Sequence, residues 1–431
     1  MIRKIVSTSI TRILNAFTGL VVLWLATNFL GSREWGVAGL VMLDVSLILL
    51  AADMAGNALV FYSSRRQLKK LMFLAIGWLS FIVLIAGAGM LLLKLKPQLL
   101  QILVPEGYEL FILILVILSG LHGINQNILL GRQQIRKFNI LFSLQFLLVI
   151  PLMTFFIWGV GVRTAWAVVW TQTISYAVSV VFGFLFLIQL PKTSELRVPS
   201  LREMLNFGLM TQLSSITHLL NKRLGFYFIR SLSGLANLGV YHSATQLTEG
   251  LRLIGQSISL VQLSAISNSN NADYAKEVTI RLMKLAVMIT LLAVIVLCLI
   301  PSVWFGALLG KDFGSVNTVI FVLSPGVVAL AANSIFSHFF SGTGRPRHNL
   351  YASVTGLCIS LPSVILLVKP FGMLGAAASA SLAYIAAVAY QWVIFRKITG
   401  ARYSDFVIRL DDIRLIKEML GKFLTKKQAT S

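Results

Sequence analysis

Five polar side chains, His242, Gln246, Glu249, Arg252 and Gln256, recur at steps of four, three, three and four residues within an otherwise apolar stretch. That spacing sets all five on one stripe of a single α-helix. A charged side chain at mid-bilayer costs on the order of 2.5–3.5 kcal/mol by insertion scales, so such a stripe faces protein or water rather than lipid. We expect it to line a cavity, with His242, Gln246 and Gln256 meeting hydroxyls and Arg252 meeting an anion. The competing packing arrangement pairs Glu249 with Arg252 along the helix and seals them against a neighbour.

The preceding apolar stretch carries His218, Lys222 and Arg223, with Lys222 one turn beyond His218 and Arg223 beside it. At a rise of ~1.5 Å per residue, Lys222 and His242 lie at matching depths of roughly 10–12 Å from their outer ends and can share one vestibule. Snorkelling of Lys222 and Arg223 to outer headgroups is the alternative. Near the amino terminus Thr8, Thr11, Arg12, Asn15 and Thr18 make a polar face, and Asp53 of the next stretch stands at the depth of Arg12, within reach of an ion pair. Asp44 and Asp53 are nine positions apart, about two and a half turns, so they point to opposite sides of their helix. One of the two is expected to be structural. His122, Asn125, Gln126, Gln172, Asn333 and His338 are isolated polar groups, of the kind that interhelical hydrogen bonds satisfy.

In this set Arg12, Lys222, Arg223 and Arg252 outnumber Asp44, Asp53 and Glu249. The expected cargo is therefore anionic, because arginine offers a forked, planar match to phosphate oxygens, whereas a cation site calls for carboxylates. A lipid-linked pyrophosphate or an acidic sugar fits. The candidate substrate-binding residues are Arg12, Asn15, Lys222, Arg223, His242, Gln246, Arg252 and Gln256; Asp44, Asp53, His218 and Glu249 are candidates for ion coupling or charge balance.

The elements that hold these residues follow from composition. Of 431 residues, 57% are hydrophobic and 12% charged, with a mean hydropathy of +0.84, well beyond soluble usage. Apolar runs fall at about 5–30, 36–62, 71–93, 108–130, 138–158, 164–189, 203–229, 235–264, 281–301, 316–341, 350–368 and 373–395, each long enough to satisfy its backbone as a membrane-spanning helix. The first contains Arg12 and Asn15 and lacks a cleavage site of small residues, which reads as a retained helix. The net charge of +22 is explained by topology rather than by nucleic acid. Loops on one side hold Arg3/Lys4, Arg65/Arg66/Lys69/Lys70, Arg132/Arg136/Lys137, Lys192/Arg197/Arg202, Lys276/Arg281/Lys284 and Arg345/Arg347, and by the positive-inside rule this side, with both termini, is cytoplasmic. Cys298 and Cys358 lie within spans and are not spaced for a metal.

The sequence PKTSELRVPSLRE at 191–203 is the most polar internal stretch and divides the spans into lobes of six, 1–194 and 195–396. Two parallel repeats are indicated by Gly31-Ser32-Arg33-Glu34-Trp35-Gly36-Val37 and Gly234-Leu235-Ala236-Asn237-Leu238-Gly239-Val240, and more weakly by Gly131-Arg132 against Gly344-Arg345. Repeats of this kind underlie alternating access. In the tail, 397–431, Phe406, Leu410, Ile413, Ile416, Leu420 and Phe423 recur at helical spacing among basic residues, an amphipathic helix suited to an anionic leaflet. No nucleotide-binding loop, zinc-protease motif or nucleophile elbow occurs, so no catalytic residue, cofactor or metal is expected and the chain is not read as an enzyme.

Over residues 1–400 the chain resembles the polysaccharide-type flippases of the multidrug/oligosaccharidyl-lipid/polysaccharide exporter superfamily. The resemblance rests on the Gly31–Gly36 turn, Asp53-Met54-Ala55-Gly56, Leu238-Gly239-Val240-Tyr241 followed by Ala244, and Gly342-Thr343-Gly344-Arg345-Pro346. It implies an all-α integral membrane fold of about twelve spans in two pseudo-symmetric six-helix lobes, with a cationic cavity to which Arg12 and Arg252 correspond. Relatives often place an acid just before the position of Arg223; Lys222 stands here instead, which removes one route to ion coupling. The implied activity is movement of an undecaprenyl-pyrophosphate-linked oligosaccharide, such as an O-antigen unit, across the bacterial inner membrane. Polysaccharide polymerase and glycosyltransferases are the implied partners. The alternatives are a cation-coupled drug exporter of the same superfamily and, from another class, a membrane glycan polymerase.

Overall fold

The computed structural model describes residues 2–63, 67–190, 200–267 and 271–407. The helices are α1 (Ile2–Phe29), α2 (Gly31–Tyr62), α3 (Leu68–Leu93), α4 (Pro97–Leu103), α5 (Glu109–Gly131), α6 (Ile135–Thr154), α7 (Ala165–Ile188), α8 (Leu201–Ser267), α9 (Ala272–Leu299), α10 (Ser302–Leu309), α11 (Val316–Gly342) and α12 (Arg347–Thr399). α8 is broken at Gly234 and α12 at Gly372, both at positive φ, so each consists of two arms. With these divided, the described residues form twelve long helices, one for each apolar run, and the short α4 and α10. Eight stretches among the described residues are long and apolar enough to cross a membrane, α12 being counted once. The protein is a multi-pass membrane protein, and its exposed residues include Phe73, Leu84, Leu92, Leu299, Phe321 and Leu366, as a lipid-facing surface requires.

The chain groups into two compact units. One comprises Met1–Ser243, Ser302–Val316 and Val368–Ala376; the other comprises Ala244–Pro301, Asn317–Leu367 and Ala377–Ser431. Most of the polar stretch expected to separate the lobes, residues 191–199, lies outside the described residues.

The internal repeat is visible in the backbone. Gly31 and Gly234 have φ of 80° and 85° and are 203 residues apart, as are Gly107 and Gly310, with φ of 83° and 101°. The turns after α5 and α11 share a hydrogen-bond pattern. Arg132, Gln133 and Gln134 N–H donate to the carbonyls of Ile128, Leu130 and Leu129, and Thr343, Gly344 and Arg345 N–H donate to those of Phe339, Ser341 and Phe340. Both are the paired closure that ends a helix on a left-handed residue, Gln133 in one and Gly344 in the other. This corrects the sequence register: Gln133-Gln134, not Gly131-Arg132, is equivalent to Gly344-Arg345. A glutamine where glycine is usual hid the match.

Each repeat also carries a polar network among its own helices. In the first compact unit His122 Nδ1 lies 2.9 Å from Ser179 Oγ, Asn125 Nδ2 donates to Val180 O (3.3 Å), and Gln145 Nε2 donates to Gln172 Oε1 (3.2 Å). In the second, Gln391 is fully buried; its Oε1 accepts from Asn333 Nδ2 (3.0 Å), and its Nε2 donates to Ser337 Oγ (3.0 Å) and Asn349 Oδ1 (3.3 Å). Isolated polar residues in the spans thus hold helices together, as expected for His122, Asn125, Gln172 and Asn333. Gln126 differs, since its buried Nε2 has no partner, and His338 bonds within its own helix to Ser334 O (2.8 Å). Gln391→Leu leaves the Asn333 amide and its neighbours unsatisfied, which costs about 1–3 kcal/mol. It should lower the melting temperature of the detergent-solubilised protein, while Ser363→Ala, at a half-buried position whose hydroxyl bonds back to carbonyls of its own helix, should not.

At the C-terminal end of α12, the Arg396 guanidinium stacks on Trp392 (5.0 Å) and Tyr403 (3.4 Å), and Arg396 Nε donates to Ala401 O (3.1 Å). Phe406 packs edge-on to Trp392 and Phe395. This clasp folds the start of the tail onto the helix; the rest of the expected amphipathic helix, from residue 408, lies outside the described residues.

Candidate functional site

Of the candidate residues, Asp44, Arg223 and His242 are positioned by the crossing of α2 with α8, which lies within the first compact unit. Each helix or arm begins after a glycine at positive φ, Gly31 or Gly234, and five residues later presents Gly36 or Gly239. A methyl group on Gly36 would overlap the Leu235 carbonyl oxygen and stand 3.0 Å from Gly239 N. One on Gly239 would overlap the Ser32 carbonyl oxygen and stand 3.1 Å from Gly36 N. Only glycine allows the two backbones to approach this closely. The contact is reciprocal, because Ser32 and Gly36 are the repeat equivalents of Leu235 and Gly239.

One turn further along, His242 lies over Gly39, where an added methyl would come within 2.5 Å of Nδ1. The imidazole stacks on Trp35 at 4.6 Å with 13° between planes and meets Phe226 edge-on at 5.6 Å. The Arg223 guanidinium stands 4.9 Å from the centre of the same Phe226 ring, close enough for a cation–π contact. His242 and Arg223, assigned from sequence to substrate binding, are thus joined through one aromatic cluster.

Below this cluster, Tyr227 Oη donates to Asp44 Oδ1 at 2.6 Å. Arg230, three residues on and so on the same face of α8, stands within electrostatic range of the Asp44 carboxylate and donates from Nη2 to Val104 O at 3.4 Å. Asp53, on the opposite side of α2, looks toward α5, with Oδ1 3.5 Å and 3.8 Å from methyl positions built on Gly56 and Gly123. The opposition of the two carboxylates expected from their spacing is what the helix shows. Further contacts reach α1 and α2: Asn28 Nδ2 donates to Leu308 O (2.6 Å) and Ser32 Oγ donates to Asp312 Oδ2 (2.8 Å).

The stripe on α8 is shared between the units. His242 belongs to the first, while Gln246, Glu249, Arg252 and Gln256 belong to the second. With its amide oxygen turned toward Arg252, Gln256 accepts from Arg252 Nε at 3.1 Å and Nη2 at 2.8 Å, the fork of the guanidinium meeting one oxygen. Gln246, Glu249 and His218 are half-buried, and each engages neighbours. Asn15 is 8% exposed, and neither of its amide atoms has a hydrogen-bond partner among the described residues. The side chains of Arg12 and Lys222 lie outside the described residues, and with them the Arg12–Asp53 ion pair and the vestibule shared by Lys222 and His242. Among the described residues no cluster of three or more histidine, cysteine, aspartate or glutamate side chains is placed to hold a metal.

Sequence reasoning missed Trp35, Tyr227 and Arg230. The available signal for the last two was the three-residue step from Tyr227 to Arg230, which sets both on one face of that arm.

Residues 25–318 match a family model described as polysaccharide biosynthesis protein, and residues 249–420 match a second model of the same description. The chain belongs to the polysaccharide biosynthesis protein family. No curated protein sequence matches this family member. Among solved structures, it is similar to an inward-facing multidrug resistance MATE family transporter of the MOP superfamily, at 16% identity over 92% of this chain and 98% of that one, with a TM-score of 0.74. It is similar to the lipid II flippase MurJ in an inward closed conformation, at 16% identity over 94% of this chain and 89% of that one, with a TM-score of 0.72. A MOP superfamily transporter from Pyrococcus furiosus matches at 16% identity over 92% of this chain and 96% of that one, with a TM-score of 0.59. At these identities the likeness establishes the fold. This polysaccharide biosynthesis family protein has the all-helical fold of MOP transporters, and its neighbours in structure are transporters and flippases rather than enzymes.

Proposed function

We propose that this polysaccharide biosynthesis family protein is a flippase for undecaprenyl-pyrophosphate-linked oligosaccharide, an O-antigen or similar surface-glycan unit, and moves it from the inner to the outer leaflet of the bacterial inner membrane. The observation that carries the proposal is the conjunction of a polysaccharide biosynthesis family match over residues 25–318 with a fold shared with a lipid II flippase. The energy argument agrees. A pyrophosphate headgroup and its sugars cannot enter hydrocarbon without hydrogen-bond and charge partners, and Arg12, Arg223 and Arg252, with Lys222, supply forked and point-charge donors inside the spans. His242, Gln246 and Gln256 contact sugar hydroxyls and Asn15 adds to the substrate-binding set, while Asp44, Asp53, Glu249 and His218 balance charge or take part in coupling. The basic loops and both termini face the cytoplasm, the lobes divide within residues 191–203, and a polymerase and glycosyltransferases act beside the protein.

Deleting the gene tests the substrate. We expect loss of the surface glycan, accumulation of lipid-linked oligosaccharide on the cytoplasmic leaflet and unchanged drug susceptibility, all restored by the wild-type chain. The MATE-type fold match supports a second reading, a drug exporter, which predicts the reverse: normal surface glycan and increased drug susceptibility. A polymerase would leave single repeat units on the surface in place of long chains.

A further inference from the structure

The joint between α2 and α8 combines two features that a permanent helix pair would not need. Its closest point, Gly36 against Gly239, is backbone on backbone, with no side chain from either helix interlocked there. Below it, Asp44 and Arg230 are only partly satisfied. Asp44 Oδ1 accepts from Tyr227, but among the described residues its buried Oδ2 has no hydrogen-bond partner, and neither has the buried Nη1 of Arg230. An acceptor and a donor of opposite charge are thus kept on facing helices with one bond between them unmade. The Gln391 network is the contrast: both ends of its amide are engaged, and it binds three helical segments rigidly. Low-dielectric surroundings strengthen a completed polar network and penalise an incomplete one, so a half-made network is where a packed structure gives way.

We propose that Asp44, Tyr227 and Arg230 form a latch that fastens α2 to the first arm of α8 and parts each time the outer side opens. The inference rests on the alternating-access reading above, which requires α2 and α8, one from each repeat, to separate at their outer ends. Arg230 has a second role in the latch. By donating to Val104 O it also ties down the outer segment that follows α4, so its release frees α8 from two partners at once.

The test is a distance measurement that does not depend on knowing the cargo. Spin labels on Arg33→Cys and Ser231→Cys, both exposed and at the outer ends of α2 and of the first arm of α8, are introduced with Cys298 and Cys358 replaced by serine. Double electron–electron resonance is then recorded on purified protein in lipid nanodiscs. Tyr227→Phe and Arg230→Gln should each raise the population of the longer distance at least fivefold, and Arg230→Lys should keep it near the parent. Should a variant not fold, Asp44→Asn, which preserves shape, provides the same measurement. Unchanged distance distributions in the folded variants would overturn the latch, whether or not glycan export is affected. A lengthened distance with normal surface glycan after gene deletion would keep the latch and overturn the flippase reading alone.

Discussion

Gly239→Val removes most of the folded protein from the membrane, and Gly239→Ala lowers the melting temperature of what remains, whereas Gly250→Ala leaves yield and melting unchanged or slightly improved. The three substitutions differ in what the new carbon meets. At Gly239 it falls on the Ser32 carbonyl and 2.8 Å from the Ser32 carbonyl carbon, and these are backbone atoms of another helix that no rotamer change can clear. Overpacking of this kind costs typically 1–3 kcal/mol, and the upper end applies where backbone must move. At Gly250 no atom lies within 4 Å, so the substitution gains about 0.5–1 kcal/mol of helix propensity. Equal thermal stability of Gly239→Ala and Gly250→Ala in detergent would show that the crossing is looser than the backbone places it.

The second large effect concerns Arg252. Arg252→Ala should reduce surface glycan at least tenfold at matched expression, Arg252→Lys should fall between, and Gln256→Met should reduce it severalfold. A hydrogen bond to a charged group contributes about 1.5–3 kcal/mol, which corresponds to roughly tenfold to a hundredfold. Lysine keeps the charge and loses the fork. Besides the amide N–H groups it offers to sugar hydroxyls, Gln256 also positions Arg252, since its oxygen takes both Nε and Nη2 and fixes the plane in which the remaining N–H groups point. Export unchanged by Arg252→Ala would remove this residue from the substrate path. Rescue by Arg252→Lys of export but not of its salt dependence would separate a point charge from forked recognition.

Much of the fold was legible because a bilayer makes sequence speak plainly. An apolar run of twenty residues has one stable form in hydrocarbon, and the turns that start α2 and the second arm of α8 keep their glycines in register. The turns after α5 and α11 are two residues out of the register expected from sequence, since Gln133 adopts the left-handed conformation without the glycine that would advertise it. The stripe on α8 was legible as a face, but periodicity reports which way a side chain points and not what it meets. His242 meets the Trp35 ring, a contact made across slightly more than the full separation of the repeats. For the same reason Asp44 and Asp53 were correctly set on opposite sides, while Tyr227 and Arg230 were not recognised as the partners of Asp44. Only a fold that brings residue 44 beside residue 227 reveals that Arg230 answers a carboxylate.

The Gly36–Gly239 crossing is isologous in form: what one helix does to the other is done back to it. A chain half this length, paired with its own copy, would already have made that joint, but on the axis of such a homodimer both partners must carry the same residue. Gly39 and His242 occupy equivalent places and touch, so a histidine on both sides would collide and a glycine on both would leave a hole. Fusion of two copies into one polypeptide lifts that constraint, and here it has allowed one side to become the knob and the other to remain the socket.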